Sequence, residues 1–125
     1  MLTARDVMTK NITTIGPDAT LDQVIQILLE KKISGMPVVN DSGEMVGIIS
    51  EKDILNFAFD GNLNNTKVSE AMTKNVVSFP PEADINSIIL TIADRHFRRV
   101  PIVENKRVVG IISRRDIIRV ALGIK

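Results

Sequence analysis

The sequence predicts an α+β fold made from two tandem copies of one β-α-β-β-α unit. The tetrapeptide MTKN occurs twice without a change, as Met8–Asn11 and Met72–Asn75. Each copy also ends in nearly the same string, VGIISEKDI at Val46–Ile54 and VGIISRRDI at Val109–Ile117. Two copies are too few for a solenoid. We therefore expect two repeats that pack on each other about a pseudo-two-fold axis, which would create two clefts.

Each repeat opens with a short helix, an extended β-branched stretch and a turn that contains proline. In the first repeat these are Thr3–Met8, Ile12–Ile15 and Gly16–Pro17, and in the second they are Val68–Met72, Val76–Phe79 and Pro80–Pro81. Valine, isoleucine and threonine favour strands, and proline favours turns. The opening of each repeat is therefore interpreted as helix, strand and turn.

An amphipathic helix follows in both repeats. Its apolar residues have the i, i+3, i+4, i+7 spacing of one helix face. They are Leu21, Val24, Ile25 and Leu28 in the first copy and Ile85, Ile88, Ile89 and Ile92 in the second. Thr20 with Gln23 forms a capping-box pattern, and Asp84 is the matching N-cap candidate.

A β-hairpin and a last helix complete each repeat. The predicted strands are Met36–Asn40 and Met45–Ser50 in the first copy, and Val100–Glu104 and Val108–Ser113 in the second. A polar, asparagine-rich segment separates the copies. We assign a first repeat to 1–60, a linker to 61–67 and a second repeat to 68–125. A repeat of about 60 residues alone would bury a marginal core, so both should form one module.

The composition is that of a globular chain, with 125 residues of which 44% are hydrophobic and 25% charged. No apolar run approaches the roughly 18 residues of a membrane helix, and Met1 leads straight into the first repeat without space for a signal peptide. Cysteine is absent, which excludes disulfides and thiol chemistry. We expect a cytoplasmic protein that does not enter membranes.

The charges are unevenly distributed along the chain. Residues 1–64 carry 5 Lys and Arg against 9 Asp and Glu, whereas residues 65–125 carry 11 against 6. The basic second half indicates a local anion site better than a nucleic-acid surface, for which a net charge above the +1 of this chain is usual. Trp and Tyr are absent, which removes the stacking side chains typical of single-strand nucleic-acid binders.

The string Gly-Ile-Ile-Ser-x-x-Asp, at Gly47–Asp53 and Gly110–Asp116, is the sharpest local motif. It places a glycine in a strand, where a ligand can approach the backbone, and a serine and a carboxylate at a helix start. The carboxylate could accept hydrogen bonds from a ribose diol. Ser-x-x-Asp equally resembles a capping box without any ligand. The residues alone leave both interpretations open.

These motifs together resemble a CBS domain pair, a module named after cystathionine β-synthase. The resemblance rests on MT-x-N at each start, an apolar-Pro-apolar-Val segment in the middle and the Ser-x-x-Asp string at each end, in two copies over nearly the whole chain. It implies a regulatory module that binds adenosine-containing ligands such as AMP, ADP, ATP or S-adenosylmethionine in the clefts between the repeats. No cofactor or metal is implied.

The resemblance also implies roles for individual residues. Asp53 and Asp116 match the ribose-binding aspartates, and Ser50 and Ser113 match a serine that contacts phosphate or ribose. The remaining implied ligand contacts are Ile48 and Ile111 beside the nucleoside, with Asn11, Thr13, Ile33, Ser34, Pro37, Val77, Phe97 and Pro101 on the opposite wall.

Arg98 and Arg99 fall where basic residues of the family often bind phosphate, whereas the first copy has Ser34 and Gly35 there. The two clefts are therefore not equivalent. Arg114 and Arg115 are interpreted as solvated residues at a helix start, with a place near a phosphate as the alternative. The single histidine, His96, is interpreted as a surface residue at a helix end, with a place beside a phosphate as the alternative. The methionines are interpreted as packing residues.

The last helices are apolar over more than one face, which indicates burial on more than one side. Their apolar residues are Ile54, Leu55, Phe57, Ala58 and Phe59, and Ile117, Ile118, Val120, Ala121 and Leu122. We expect a homodimer through these helices.

Three functions remain in view. The leading one is a nucleotide-sensing module whose change is passed to an effector protein. The second is a scaffold with empty clefts. The third is nucleic-acid binding through the arginine-rich half. An enzyme has the least support, because no nucleophile–base pair, metal cluster or phosphate-transfer loop is present.

Overall fold

The computed structural model describes residues 1–57 and 62–123 and confirms an α+β fold. In chain order the elements are α1 (Ala4–Val7), α2 (Leu21–Lys31), β1 (Gly35–Val39), β2 (Met45–Ser50), α3 (Glu51–Leu55), α4 (Val68–Ala71), α5 (Ile85–Arg95), β3 (Arg99–Glu104), β4 (Arg107–Ser113) and α6 (Arg114–Ala121). Helix α3 ends before Phe57, and Ala58 and Phe59, which the sequence places on it, lie outside the described residues.

The chain divides into two compact units that do not coincide with the sequence repeats. Unit 1 comprises Met1–Ile12 and Val77–Lys125, and unit 2 comprises Thr13–Val76. The opening helix of the first repeat, α1, therefore belongs with the hairpin β3–β4 of the second. Helix α4, which opens the second repeat, belongs with the hairpin β1–β2 of the first.

Backbone hydrogen bonds attach each opening segment to its unit. In unit 1, Ala4 N donates to Ala83 O at 2.9 Å and Ile85 N donates to Leu2 O at 3.1 Å. Arg5 Nη2 lies 2.8 Å from Glu82 Oε1, and this hydrogen bond raises the pKa of Arg5 above its ordinary value. The attachment buries Ala4 completely in the core of unit 1.

Unit 2 has the matching attachment. Val68 N donates to Ala19 O at 2.8 Å, and Leu21 N donates to Thr66 O at 3.0 Å. Val68 is completely buried beside the apolar face of α2. Each unit thus has a core of its own, in which an amphipathic helix covers a hairpin and a short opening helix closes one side.

The two long helices begin and end as their sequences predict. The Thr20–Gln23 capping box is present, with Thr20 N donating to Gln23 Oε1 at 2.9 Å. Asp84 accepts a hydrogen bond from Asn86 N at 3.0 Å. Both helices end at a residue in the left-handed conformation, Lys32 and His96, each with φ of 56°. His96 is exposed, as expected.

The hairpins are antiparallel and lie within two residues of their predicted bounds. The β-branched stretches Ile12–Ile15 and Val76–Phe79 were expected to form strands. This expectation is wrong for all but one residue of each stretch. Each makes a single parallel bridge, Ile15 with Val38 and Phe79 with Ile102.

Prolines limit these bridges to one residue. Ile15 N donates to Pro37 O and Val39 N donates to Ile15 O. A longer ladder would next need an N–H from Pro37 on one side and from Pro17 on the other, and proline has none. Pro101 and Pro81 block the ladder of Phe79 in the same way, because the hydrogen bonds there have the same pattern.

Candidate ligand-binding site

The two Ser-x-x-Asp motifs form complete capping boxes at the starts of α3 and α6. Ser113 N and Ser113 Oγ donate to Asp116 Oδ2 at 2.8 and 3.1 Å. Asp116 N returns a hydrogen bond to Ser113 Oγ at 3.4 Å. Ser50 and Asp53 make the same set in unit 2. The capping interpretation of these residues is therefore correct as far as it goes.

A threonine of the repeated MTKN tetrapeptide binds the other oxygen of each carboxylate. Thr9 Oγ1 donates to Asp116 Oδ1 at 3.2 Å, and Thr73 Oγ1 donates to Asp53 Oδ1 at 3.1 Å. Sequence reasoning missed both threonines as site residues. The unchanged MTKN in both copies was the available signal, and it was used only to find the repeat.

The threonines are held in place by the backbone. Thr9 N donates to Ile111 O at 2.8 Å, and Thr9 O accepts from Ile111 N at 3.0 Å. Thr73 and Ile48 form the same pair of hydrogen bonds, at 2.8 and 2.9 Å. Each threonine therefore lies against the strand that leads into the Ser-x-x-Asp motif of its unit.

The aspartates keep some capacity for a ligand. A carboxylate has about four lone-pair sites, and three protein donors bind the side chain of each aspartate here. A ribose hydroxyl could use the fourth site or replace the hydroxyl of the threonine, a residue that is exposed in both units. The two sites differ in access, because Asp116 is only 7% exposed whereas Asp53 is half-buried.

The glycine of each motif serves packing instead of the approach of a ligand to the backbone. A Cβ built on Gly110 would lie 2.7 Å from Met8 Cγ, and one on Gly47 would lie 2.8 Å from Met72 Sδ. The space beside each glycine is filled by the methionine of MTKN from the same unit. This corrects our expectation for the glycines and confirms that Met8 and Met72 are packing residues.

The other predicted site residues are divided between the units. Unit 1 contains Asn11, Val77, Phe97, Arg98, Arg99, Pro101, Ile111, Ser113 and Asp116, and unit 2 contains Thr13, Ile33, Ser34, Pro37, Ile48, Ser50 and Asp53. The hairpins bring several of them together across the strands.

Cross-strand pairing places the start of each hairpin beside its serine. Arg99 pairs with Ser113, and Pro101 pairs with Ile111. In unit 2, Pro37 pairs with Ile48. Pro37 and Pro101 are buried, and their carbonyls accept from Ile15 N and Phe79 N at 3.2 Å.

The start of α6 is the most basic part of unit 1. Arg98 is exposed and directly precedes β3, and the half-buried Arg99 is the first residue of β3 and pairs with Ser113. Arg114 is exposed at the start of α6, as one of our two interpretations had it, but its side chain also binds the protein. Its Nε donates to Phe97 O at 2.9 Å and its Nη2 donates to His96 O at 3.1 Å.

A cavity of about 300 Å³ lies between α1 and α6 in unit 1. Its lining residues are Leu2, Asp6, Val7, Asp116, Arg119, Val120 and Gly123. It shares only Asp116 with the residues that the sequence predicts for the site. Asp116 therefore both contacts the MTKN segment through Thr9 and lines this cavity.

The described residues contain no group of three metal-ligating side chains. None of the helices they form is long and apolar enough to cross a membrane.

Comparison with known proteins agrees with this architecture. The model of the CBS domain family matches residues 4–60 and 68–123. The chain belongs to the CBS domain family, and it contains two such domains. It is 32% identical over 117 residues to inosine-5'-monophosphate dehydrogenase of Methanocaldococcus jannaschii, covering 93% of this chain and 23% of that enzyme. The chain spans 41% and 23% of the lengths of the first two curated relatives.

Two solved structures with the same fold contain adenosine compounds. One is CBSX2 in complex with AMP, which is 26% identical with a TM-score of 0.90, covering 98% of both chains. The other is the CBS domain pair of protein MJ0100 in complex with 5-methylthioadenosine and S-adenosyl-L-methionine. It is 27% identical with a TM-score of 0.87, again covering 98% of both chains.

Proposed function

We propose that this chain is a regulatory module that binds adenosine-containing nucleotides at the Ser-x-x-Asp motif of each unit. The observation that carries the proposal is the cluster of serine, aspartate and MTKN threonine, built twice with the same hydrogen bonds. A helix cap needs only the serine and the aspartate. The second carboxylate oxygen, with an exposed threonine as its donor, is the part that a ribose diol can use.

The proposed ligand lies against residues that the fold already groups. Asp116 and Asp53 would bind the ribose hydroxyls, and Ser113 and Ser50 would contact ribose or phosphate. The half-buried Ile111 and Ile48 would offer apolar surface to the nucleoside. The remaining contacts that we propose are Asn11, Thr13, Ile33, Ser34, Val77 and Phe97. Solved CBS pairs with AMP and with S-adenosyl-L-methionine support an adenosine compound as the ligand.

Phosphate binding is proposed for unit 1 in particular. Arg98 and Arg99 lie beside Ser113, where the corresponding residues of unit 2 are Ser34 and Gly35. Arginine binds phosphate through charge-assisted hydrogen bonds. AMP, ADP or ATP should therefore prefer unit 1.

Regulation requires that the ligand change something a partner can detect, since a ligand acts only through its different affinity for two states. We propose a cytoplasmic homodimer that reports the bound nucleotide to an effector protein and performs no catalysis itself. Ile118 on α6 and Leu122, directly after the end of this helix, are exposed apolar residues with 59% and 70% of their surface accessible. They favour a second copy as the neighbour of this helix.

A thermal-shift panel with AMP, ADP, ATP and S-adenosylmethionine tests the proposal. A ligand at about 100 times its dissociation constant stabilises the folded state by roughly 2.7 kcal/mol, which is a melting shift of several degrees for a chain of this size. Absence of any shift at millimolar concentration would favour the scaffold function. Binding of single-stranded RNA or DNA with a steep salt dependence would favour the nucleic-acid function.

A further inference from the structure

Arg114, the first residue of α6, makes three hydrogen bonds to consecutive carbonyls. Its backbone N donates to Arg98 O at 3.0 Å, its Nε donates to Phe97 O at 2.9 Å, and its Nη2 donates to His96 O at 3.1 Å. The start of α6 is thereby tied to the whole segment that joins α5 to β3.

The position of these carbonyls explains why an arginine is needed. Helix α5 ends at Arg95, and His96 reverses the backbone with a φ of 56°. The carbonyl of His96, the C-cap of α5, is one of those that lack an intrahelical donor at a helix C-terminus and carry a partial negative charge. A guanidinium is a planar fork with five N–H groups, so it can bind two neighbouring carbonyls at once. A lysine has one nitrogen on a flexible chain and does not reproduce this geometry.

The segment that Arg114 holds ends at Arg98, and Arg99 follows as the first residue of β3. A phosphate binds more tightly to side chains that start from a fixed backbone, because less conformational freedom is lost on binding. The three hydrogen bonds of Arg114 fix the backbone from His96 to Arg98, which includes one of the two arginines and directly precedes the other.

Unit 2 has neither the arginine pair nor this interaction. The residue that corresponds to Arg114 is Glu51, whose backbone N donates to Ser34 O at 3.0 Å. A glutamate side chain has no donor when ionised, so only the backbone hydrogen bond is shared by the two units. The guanidinium interaction and the basic pair thus occur together, in unit 1.

We infer that Arg114 is a positioning residue that fixes His96–Arg98 so that Arg98 and Arg99 receive the phosphate of a nucleotide. Unit 1 thereby selects phosphorylated adenosine over adenosine itself, through the backbone that Arg114 holds as well as through charge. The inference rests on the proposed function, since it names how one of the two sites recognises its ligand.

Isothermal titration of Arg114→Lys with AMP and with adenosine tests the inference. The substitution keeps the charge and removes the fork, so it separates positioning from simple attraction. AMP affinity should fall about 3- to 10-fold, the loss of roughly one net hydrogen bond, and adenosine affinity should stay unchanged. Arg115→Lys is the matched control, because Arg115 is exposed and its side chain makes no hydrogen bond within the described part of the chain. This variant should change neither affinity.

Two further measurements make the result independent of folding defects. The first is amide hydrogen exchange at Phe97, whose N–H donates to Ile92 O at 3.2 Å. In the ligand-free protein this exchange should become faster in Arg114→Lys but not in Arg115→Lys. In an Arg98→Ala/Arg99→Ala background, Arg114→Lys should no longer change AMP affinity. If Arg114→Lys does not fold, Arg114→Gln is measured with the same readouts, and the same losses are expected.

The outcomes separate this inference from the proposed function. If the wild type binds AMP and Arg114→Lys binds it with the same affinity, the inference is overturned and the proposed function is not. Equal losses for AMP and adenosine also overturn it, because they show a purely structural effect. Failure of the wild type to bind either ligand overturns the proposed function and the inference with it.

Discussion

Among individual side chains, the two aspartates of the Ser-x-x-Asp motifs have the most demanding environments. Each carboxylate accepts from a serine N–H, a serine hydroxyl and a threonine hydroxyl. Asp116 is the one charged residue that is buried among the described residues, at 7% exposure. Burying a carboxylate is unfavourable unless hydrogen bonds replace its water, so each of the three donors should contribute to stability in unit 1.

Thr9→Val tests this directly, because it removes one hydroxyl and nearly preserves the shape of the side chain. We expect the free energy of unfolding to fall by about 1–2 kcal/mol, since the lost donor served a buried charge. Thr73→Val is the matched variant, and its loss should be smaller because water can reach the half-buried Asp53. Urea denaturation measures both. Equal losses, or a larger loss for Thr73→Val, would contradict the account of Asp116.

Among the helices and strands, the contact between each MTKN segment and its strand requires glycine. Gly110→Ala would push a Cβ into Met8, so we expect a loss of about 1–3 kcal/mol in the free energy of unfolding. Gly16→Ala is the control, because the nearest atom to a Cβ there is Val39 O at 4.0 Å. Chemical denaturation of both variants compares them. A Gly110→Ala variant as stable as Gly16→Ala would show that the packing is loose.

Helix α6 carries one part of the predicted dimer surface, and the helix predicted at Ile54–Phe59 carries the other. Ile118→Asp places a charge on the exposed apolar face, and we expect the mass from light scattering to fall from dimer to monomer at tens of micromolar. Leu90→Asp is the control, because Leu90 is equally exposed, at 63%, but lies on α5, outside the predicted surface. A monomeric wild type, or an unchanged mass in Ile118→Asp, would contradict the proposed homodimer.

The local structure was predictable from the sequence because each signal was local. The spacing of Leu21, Val24 and Leu28 and the Thr20–Gln23 box determine where α2 lies, and turn residues determine where the hairpins reverse. That each opening helix, α1 or α4, packs in one unit with the hairpin of the other repeat was not predictable. MTKN is identical in both copies, so the pattern is equally compatible with packing on either Gly-Ile-Ile-Ser strand. The side-chain contacts of Arg114 join residues 17 and 18 positions apart, which no periodicity reveals.

Of the predicted site, the serines, aspartates and strand isoleucines are brought together within each unit. The ligand roles of all the predicted residues remain a prediction. Capping and ligand binding use the same serine and aspartate, so their sequence pattern cannot separate the two. The threonine that distinguishes them comes from a distant part of the chain.

For the molecule as a whole, each opening helix packs in one unit with the hairpin of the other repeat, so neither repeat contains a complete core. A fragment of residues 68–125 lacks Ala4 and Met8, which are 0% and 9% exposed in unit 1. We expect this fragment to show no cooperative unfolding transition by circular dichroism, whereas the full chain does. A cooperative transition of the fragment would show that the second repeat folds without the first twelve residues.

The two units differ in charge in the same way as the two halves of the sequence. Unit 1 has 11 Lys and Arg against 6 Asp and Glu, and unit 2 has 5 against 9. An anionic ligand is therefore attracted to unit 1, where Arg98 and Arg99 also lie, and this attraction should weaken as salt rises.

The measurement that tests nucleotide binding most directly is calorimetric titration of AMP into wild type and Asp116→Asn, with melting of both proteins free of ligand. Asparagine can keep the cap, since its oxygen accepts from Ser113 and its amide can donate to Thr9. It loses the charged hydrogen bonds to ribose, which are worth about 1.5–3 kcal/mol. We predict an AMP affinity lower by roughly 10- to 150-fold and a nearly unchanged melting temperature. Unchanged affinity together with a lower melting temperature would show that Asp116 is only a helix cap, and would contradict the proposed site.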